Sequence, residues 1–376
     1  MSLCILIGAD VAPTESNLAA FQSGAGAVLS DGLAEVWRAA DARLFNLETP
    51  LADRKTPAHK CGPCLRSPAG CARGIAALRP TAVSLCNNHI LDHGEAGLCA
   101  TVEALAGAGV SSFGAGPNLK EAEKPFYFTH SGVRMGVYAV CEHEFSVATE
   151  QSAGANPLDL LELGERVRAA RAGCDHLIAL YHGGREGYPY PSPALQKACR
   201  KMAECGASLV LCQHSHCVGS FERYHGATIV YGQGNFIFDV DDGGACFDTG
   251  LLVRLEIEGG GAETVDFVPL VRARGGAALA HGERAREILD GFFARSERVP
   301  DEAFVCAKYE AYAAESKEKL LKVFLSGNPA LRTLNVLYGR RPTRVYPRET
   351  KTAILNTLLC ESIRELLTEG LYHDVF

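Results

Sequence analysis

The chain has 376 residues, 47% of them apolar and 22% charged, with a formal net charge of −7 at pH 7. That length and balance build a large core, more than one folding unit, and no disordered protein. The acidic surplus, with no dense Lys/Arg stripe against it, excludes general nucleic-acid binding.

Strands and helices alternate over roughly the first three quarters of the chain, an α/β pattern. Leu3–Ile7 reads as a strand and Leu33–Ala39 as part of a helix. The Leu3–Ile7 run lacks the basic flank and length of a secretory leader, and no stretch approaches the ~20 apolar residues of a membrane span. Arg43–Asn46 leads into Leu47-Glu48, and Thr81–Cys86 is a buried strand. Glu95–Ala106 has helical spacing and stops at Gly107-Ala108-Gly109. Val133–Cys141 is strand-like and runs into Glu142-His143-Glu144. Leu158–Ala172 reads as a helix, with Leu158, Leu161, Leu163 and Val167 near one face. Strand His176–Tyr181, helix Ala194–Cys205 and strands Ser208–Cys212 and Thr228–Tyr231 follow, and Leu251–Ile257 alternates as a half-exposed strand would. After about Ala285 the pattern changes: Glu302–Phe324 and Thr350–Leu371 read as helices with charged outer faces, joined by a Pro- and Arg-containing stretch at Arg340–Arg348. The expected division is an α/β domain over 1–284 and a helical extension over 285–376, there for packing or oligomerisation.

The 15 cysteines are scattered, and Cys86, Cys141 and Cys212 sit inside apolar runs. They read as reduced thiols of a cytoplasmic protein, not as a disulfide framework. Cys61-Gly62-Pro63-Cys64, with Cys71 nearby, lacks a second pair at zinc-site spacing and reads as a loop of unpaired thiols. Gly114-Ala115-Gly116 is an incomplete nucleotide fingerprint and reads as a turn, and the chain has neither a nucleophile elbow nor a P-loop.

The chemistry concentrates just past strand ends. Asp10 follows the first apolar run, and Asn87-Asn88-His89, His182-Gly183-Gly184 and His214-Ser215-His216 each follow another. Taken singly, Asp10 and the asparagines suit helix caps, His182 suits a turn, and a His-x-His pair is common on surfaces. Their joint occurrence at four strand ends points instead to a metal-assisted site built from loops on a rigid scaffold.

In order, Gly8-Ala9-Asp10, Asn46-Leu47-Glu48, Asn87-Asn88-His89-Ile90-Leu91-Asp92, His182-Gly183-Gly184, His214-Ser215-His216 and Gly234-Asn235-Phe236 resemble the CapA-type capsule (poly-γ-glutamate) biosynthesis proteins. That family looks like a branch of the calcineurin-like metallophosphoesterases, and the resemblance covers roughly residues 3–270. It implies a four-layer α/β/β/α sandwich with a metal centre at the strand C-termini, holding one or two divalent transition-metal ions (Mn, Fe or Zn). Carried over position by position, Asp10 and His216 would bind the first ion, Asn88, His182 and His214 the second, and Glu48 would bridge them. His89 would be the catalytic histidine beside the substrate. Asn46, Asp92 and Asn235 would orient these side chains by hydrogen bonds. Arg185, Glu142, His143 and Tyr188 are candidate contacts to an anionic small-molecule or polymer substrate, with a solvated turn or surface loop as the alternative.

The sequence departs from the wider superfamily at two motifs. Asp10-Val11-Ala12 lacks a histidine two residues after the aspartate, and Asn46-Leu47-Glu48 replaces Gly-Asp. The expected function is a metal-dependent phosphoesterase or a capsule-biosynthesis factor, the alternative being a non-catalytic polymer- or partner-binding scaffold on the same fold.

Overall fold

A computed structural model describes residues 2–24, 28–240, 245–258, 261–322, 329–338 and 341–375. They divide into two compact units, Met1–Val305 and Cys306–Phe376.

The first unit is a four-layer α/β/β/α sandwich built on two large sheets. In the eight-stranded sheet the order is Gly276–Leu279, Glu263–Ala273, Thr249–Ile257, Leu3–Ala12, Ala42–Leu47, Ala82–Ser84, Ser112–Phe113, and Asn235–Phe238 pairs with the end of Leu3–Ala12. The six-stranded sheet runs Phe221–Tyr224, Ala227–Val230, Leu209–Gln213, His176–His182, Val133–Cys141, Phe126–His130. Central strands in both sheets are parallel; antiparallel strands close both edges of the six-stranded sheet and one edge of the eight-stranded sheet, whose other edge strand, Ser112–Phe113, is parallel.

Period-two alternation sorts the buried residues of the second sheet. Met135, Val137, Ala139, Ile178, Leu180, Leu209 and Leu211 face the shared core between the sheets. Tyr138, Val140, Leu177, Ala179, Val210 and Cys212 face the crossover helices Leu163–Ala172 and Pro193–Glu204. Strands covered on both faces read as unbroken apolar runs, which is why they were visible in the sequence. On the other outer layer, Trp37 of helix Asp31–Ala39 packs its ring 4.9 Å from Phe236 and donates its indole N–H to the Leu78 carbonyl at 2.8 Å.

Register brings the chemistry together. Asp10 lies opposite both Asn46 and Asn235 in the first sheet, and His182 lies opposite both Cys141 and Gln213 in the second. The C-terminal ends of parallel strands thus converge on one edge of the sandwich, where open α/β sheets place their sites.

Some elements differ from expectation. The expected helix at 158–172 begins only at Leu163, because the Asp159 carboxylate accepts the backbone N–H groups of Leu161 and Glu162 and turns the chain there. Leu161, expected on the buried face, is 96% exposed. The expected helix at 350–371 is two helices, Arg348–Leu359 and Glu361–Val375, parted by Cys360 in an extended conformation. Helix Glu302–Leu321 matches the described part of the expected 302–324 element, and residues 323 and 324 lie outside the described residues, as does Arg340. Strands Phe126–His130, Phe221–Tyr224 and Glu263–Ala273 and the helix Gly282–Ser296 were not expected, and this helix buries Ile288 and Phe292 in the first unit's core. Among the described residues no helix is long and apolar enough to cross a membrane.

Candidate metal centre

Asp10 is fully buried at the end of the first strand. Its Oδ1 accepts the Asn46 side-chain N–H at 2.8 Å, and its Oδ2 accepts the His214 backbone N–H at 3.1 Å. Asn46 is held in turn by Asn87, whose amide donates to the Asn46 side-chain oxygen at 3.1 Å and to the Leu47 carbonyl at 2.8 Å. This chain of amides fixes the Asp10 carboxylate within the first sheet, and the His214 N–H ties it to the end of the second.

Glu48 is also fully buried, and neither of its carboxylate oxygens has a hydrogen-bond partner. His182 Nε2 lies 3.3 Å and His216 Nε2 3.7 Å from its Oε1. Burial, with Asp10, Glu186, Asp92 and Glu144 adding negative charge around it, pushes the Glu48 carboxyl well above its ordinary value. A buried carboxylate without donors is costly unless a cation compensates it.

The three histidines differ in what their ring nitrogens face, and His182 has polar neighbours on both, its Nδ1 lying 3.3 Å from the Asn46 side-chain nitrogen. His216 Nδ1 faces the Asn235 side-chain oxygen at 2.8 Å, and its ring stacks on Phe247 at 4.7 Å. His214 Nε2 faces Glu142 at 3.2 Å, while its buried Nδ1 has no partner. His182 Nε2 faces the Asn88 side-chain oxygen at 3.0 Å, and the Asn88 amide donates to Glu144 at 3.3 Å. At His214 and His216 a carboxylate or amide oxygen that takes one ring N–H leaves the opposite nitrogen as a lone pair, the arrangement metal-binding histidines adopt. Burial, aided by His214, His216 and His89, holds His182 well below its usual value and therefore neutral. His216 is lowered by the same burial, against the pull of Asp10. At His214 burial acts downward, but the hydrogen bond and charge of Glu142, with Glu144 and Glu186, outweigh it and raise the imidazole. The backbone at His214 and His216 is left-handed, with φ of +82° and +51°, a strain that clusters at functional sites.

Among the described residues three groups of His and carboxylate side chains bring donor atoms within 4.8 Å of one another: Asp10, Glu48 and His216; Glu48, His182 and His214; and Glu142, Glu144 and His214. The first two are entirely buried and share Glu48.

His89 stands beside this constellation, following Asn88. Its Nδ1 lies 2.6 Å from Asp92 Oδ2, and its backbone N–H is held by the Asn87 side chain at 3.0 Å. The candidate substrate contacts divide. Glu142 is half-buried and takes the Gly184 N–H at 3.1 Å as well as facing His214. Tyr188 is buried with its ring near Tyr190. Arg185 and His143 are exposed. Lys60, absent from the expected set, forms a buried ion pair with Asp92. Nothing in the sequence marks it, because it sits in an aperiodic loop of Pro, Gly and Cys.

A four-layer sandwich with a buried His/carboxylate constellation at its strand ends is thus the class to which this chain conforms. Residues 9–240 match the family described as "Bacterial capsule synthesis protein PGA_cap", and the chain belongs to that family. It is 30% identical over 196 residues to a capsule biosynthesis protein CapA of Bacillus anthracis, covering 50% of this chain and 47% of that protein. It is also 30% identical over 217 residues to a probable polyglutamine synthesis accessory protein of Mycobacterium tuberculosis, covering 54% of this chain and 57% of that one. The chain spans about half the length of the curated relatives it matches. Among solved structures, the NAD nucleotidase of Haemophilus influenzae is similar with a TM-score of 0.43 and 13% identity, over 84% of this chain and 68% of that one.

Proposed function

We propose that this chain is a metal-dependent hydrolase of phosphoester bonds that works in the capsule or poly-γ-glutamate biosynthesis for which its family is named. The observation that carries the reading is the pair of buried donor groups sharing Glu48. In this reading Asp10 and His216 would hold one divalent ion and Asn88, His182 and His214 a second, with Glu48 within reach of both donor groups. Nitrogen and oxygen donors of this mix suit Mn, Fe or Zn. Bound there, the ions supply Lewis acidity and neutralise charge on a phosphoryl group.

The chain's own residues do the rest. His214 and His216 are oriented by Glu142 and Asn235, so the nitrogens left free are already turned away from those supports. His89 keeps the Nδ1 hydrogen toward Asp92 and turns Nε2 to the leaving oxygen, which it would protonate as the imidazolium after Nε2 has taken a proton from solvent. Exposed Arg185, close after His182, supplies a cation for an anionic small molecule or polymer. All 15 cysteines are free, which supports action in the reducing cytoplasm.

The accessory-protein name of one relative favours a second reading: a scaffold that binds polymer or partner and uses metal for structure. Elemental analysis of the purified chain, before and after loading with Mn or Zn, tests the shared premise. The expected result is one to two ions per chain, lost in His214→Ala. A phosphomonoester and phosphodiester screen then separates the readings. The hydrolase requires turnover that His89→Asn abolishes with metal content unchanged. Metal without turnover on any phosphoester leaves the scaffold, and no metal under any loading sinks both.

A further inference from the structure

The segment 56–65 has no regular structure, yet it is bound along its length to the turn that carries His89. The Thr56 N–H donates to His93 Nδ1 at 2.8 Å and its hydroxyl to the His93 carbonyl at 3.0 Å. The Ala58 N–H donates to the Asp92 carbonyl at 2.8 Å, and the Leu65 N–H to Asp92 Oδ2 at 2.5 Å. Lys60 projects from the middle of this strap with its side chain only 3% exposed, and its ammonium pairs with Asp92 Oδ1.

The geometry settles who holds which proton. Lys60 Nζ lies 3.4 Å from His89 Nδ1, and Asp92 Oδ2 lies 2.6 Å from the same nitrogen. A bare Nδ1 lone pair at that distance from a carboxylate oxygen would be repelled, so Nδ1 carries the hydrogen and donates it to Oδ2. An ammonium has donors only, so Lys60 and the Nδ1–H do not bond to each other. Both address the same carboxylate, one on each oxygen. Lys60 also supplies the positive charge that a fully buried Asp92 otherwise lacks.

We infer that Lys60 is a positioning residue: by pinning the Asp92 carboxylate it locks His89 in the Nδ1–H tautomer and leaves Nε2 as the ring's free nitrogen. The role of that Nε2 in turnover rests on the hydrolase reading. The lock itself does not.

Two readouts on the full chain keep these apart. With 15N-labelled histidine and His89 assigned from the His89→Asn spectrum, the metal-free wild type should show a protonated Nδ1 and a bare Nε2 at His89. Lys60→Met should move both nitrogens toward the averaged values of a ring exchanging tautomers, and Lys60→Arg should restore the wild-type pattern. An unchanged His89 pattern in Lys60→Met overturns the inference. In Mn-loaded protein acting on bis(p-nitrophenyl) phosphate, Lys60→Met should lower kcat about 10²-fold, with KM and metal content within about twofold of wild type. Arginine should recover most of that loss, which a generic packing defect would not show. Equal losses in Lys60→Met and Lys60→Arg count against the lock. Failure of the wild type to turn over any phosphoester removes the hydrolase reading and leaves the NMR comparison to decide on Lys60. Where Lys60→Met fails to fold, Lys60→Gln, which keeps a donor without the charge, replaces it in both arms.

Discussion

Replacing Glu48 with glutamine separates two properties that the wild-type residue joins. The carboxyl is buried with no donor on either oxygen, so the metal-free fold carries it at a cost that an uncharged amide reduces. Glu48→Gln should therefore stabilise metal-free protein by about 1 kcal/mol, roughly 2–4 °C in Tm for a domain of this size. The same change removes the donor common to both buried groups, so bound metal should fall to less than half the wild-type content. Thermal melts in chelator, paired with elemental analysis, check both signs. A variant that is less stable and keeps its metal would place Glu48 among ordinary packing residues. Histidines provide the control: His214→Ala should lose metal, whereas His143→Ala, on an exposed side chain, should keep it.

At the scale of elements, Asp239 ties three pieces of backbone together past the end of strand Asn235–Phe238. It accepts the Ser16 hydroxyl at 2.6 Å, the Gly275 N–H at 3.0 Å and Arg272 Nη1 at 3.0 Å. Partial burial raises this carboxyl, but those donors and the Arg272 charge outweigh it and hold the group below its ordinary value of 3.8. A depressed folded value means that the unfolded chain takes up the proton first on acidification. The stabilisation is therefore complete above about pH 4 and disappears as pH falls through the folded value. Asp239→Asn should lower Tm at pH 7 and differ little from wild type near pH 2, and a pH series of melts reads the convergence. Which elements the sequence disclosed follows from the same geometry. Strands Leu3–Ala12, Val133–Cys141 and His176–His182 are covered on both faces, so their apolar runs stood out and so did the polar residues ending them. Phe126–His130 and Glu263–Ala273 are edge or near-edge strands of half-buried residues, the latter interrupted by Pro269, and carry no such run. The buried donor set around Asp10, Glu48 and the histidines lay in motifs readable by position. Lys60 did not, because what gives it a role is an ion pair across 32 residues of chain to Asp92, invisible to any local pattern.

The whole molecule raises the question of where the site-bearing unit ends. Every side chain of the candidate centre lies between Asp10 and Asn235, yet the structure needed to hold it extends further. Helix Gly282–Ser296 seats Phe292 against Phe221 at 5.2 Å, on the edge strand of the six-stranded sheet, and against Phe267 at 4.7 Å, on the second strand of the eight-stranded sheet. Beyond it, the Gln196 amide donates to the Val299 carbonyl at 2.7 Å, and Arg200 forks onto Glu222 at 2.9 and 2.8 Å while reaching Glu302 at 2.6 Å. A chain cut after Ala285 strips these anchors from helix Pro193–Glu204. Loss of Phe292 alone is worth ~3–5 kcal/mol, and that is a large part of the stability of an ordinary domain. A chain ending at Val305 keeps all of them. We predict that residues 1–305 fold cooperatively and bind the same metal per chain as the full-length protein, while residues 1–285 aggregate or melt without a cooperative transition. Calorimetry and elemental analysis of the two truncations decide it. Equal stability of both would mean that the helix and the segment after it are appendages, and that the α/β body closes its core without them.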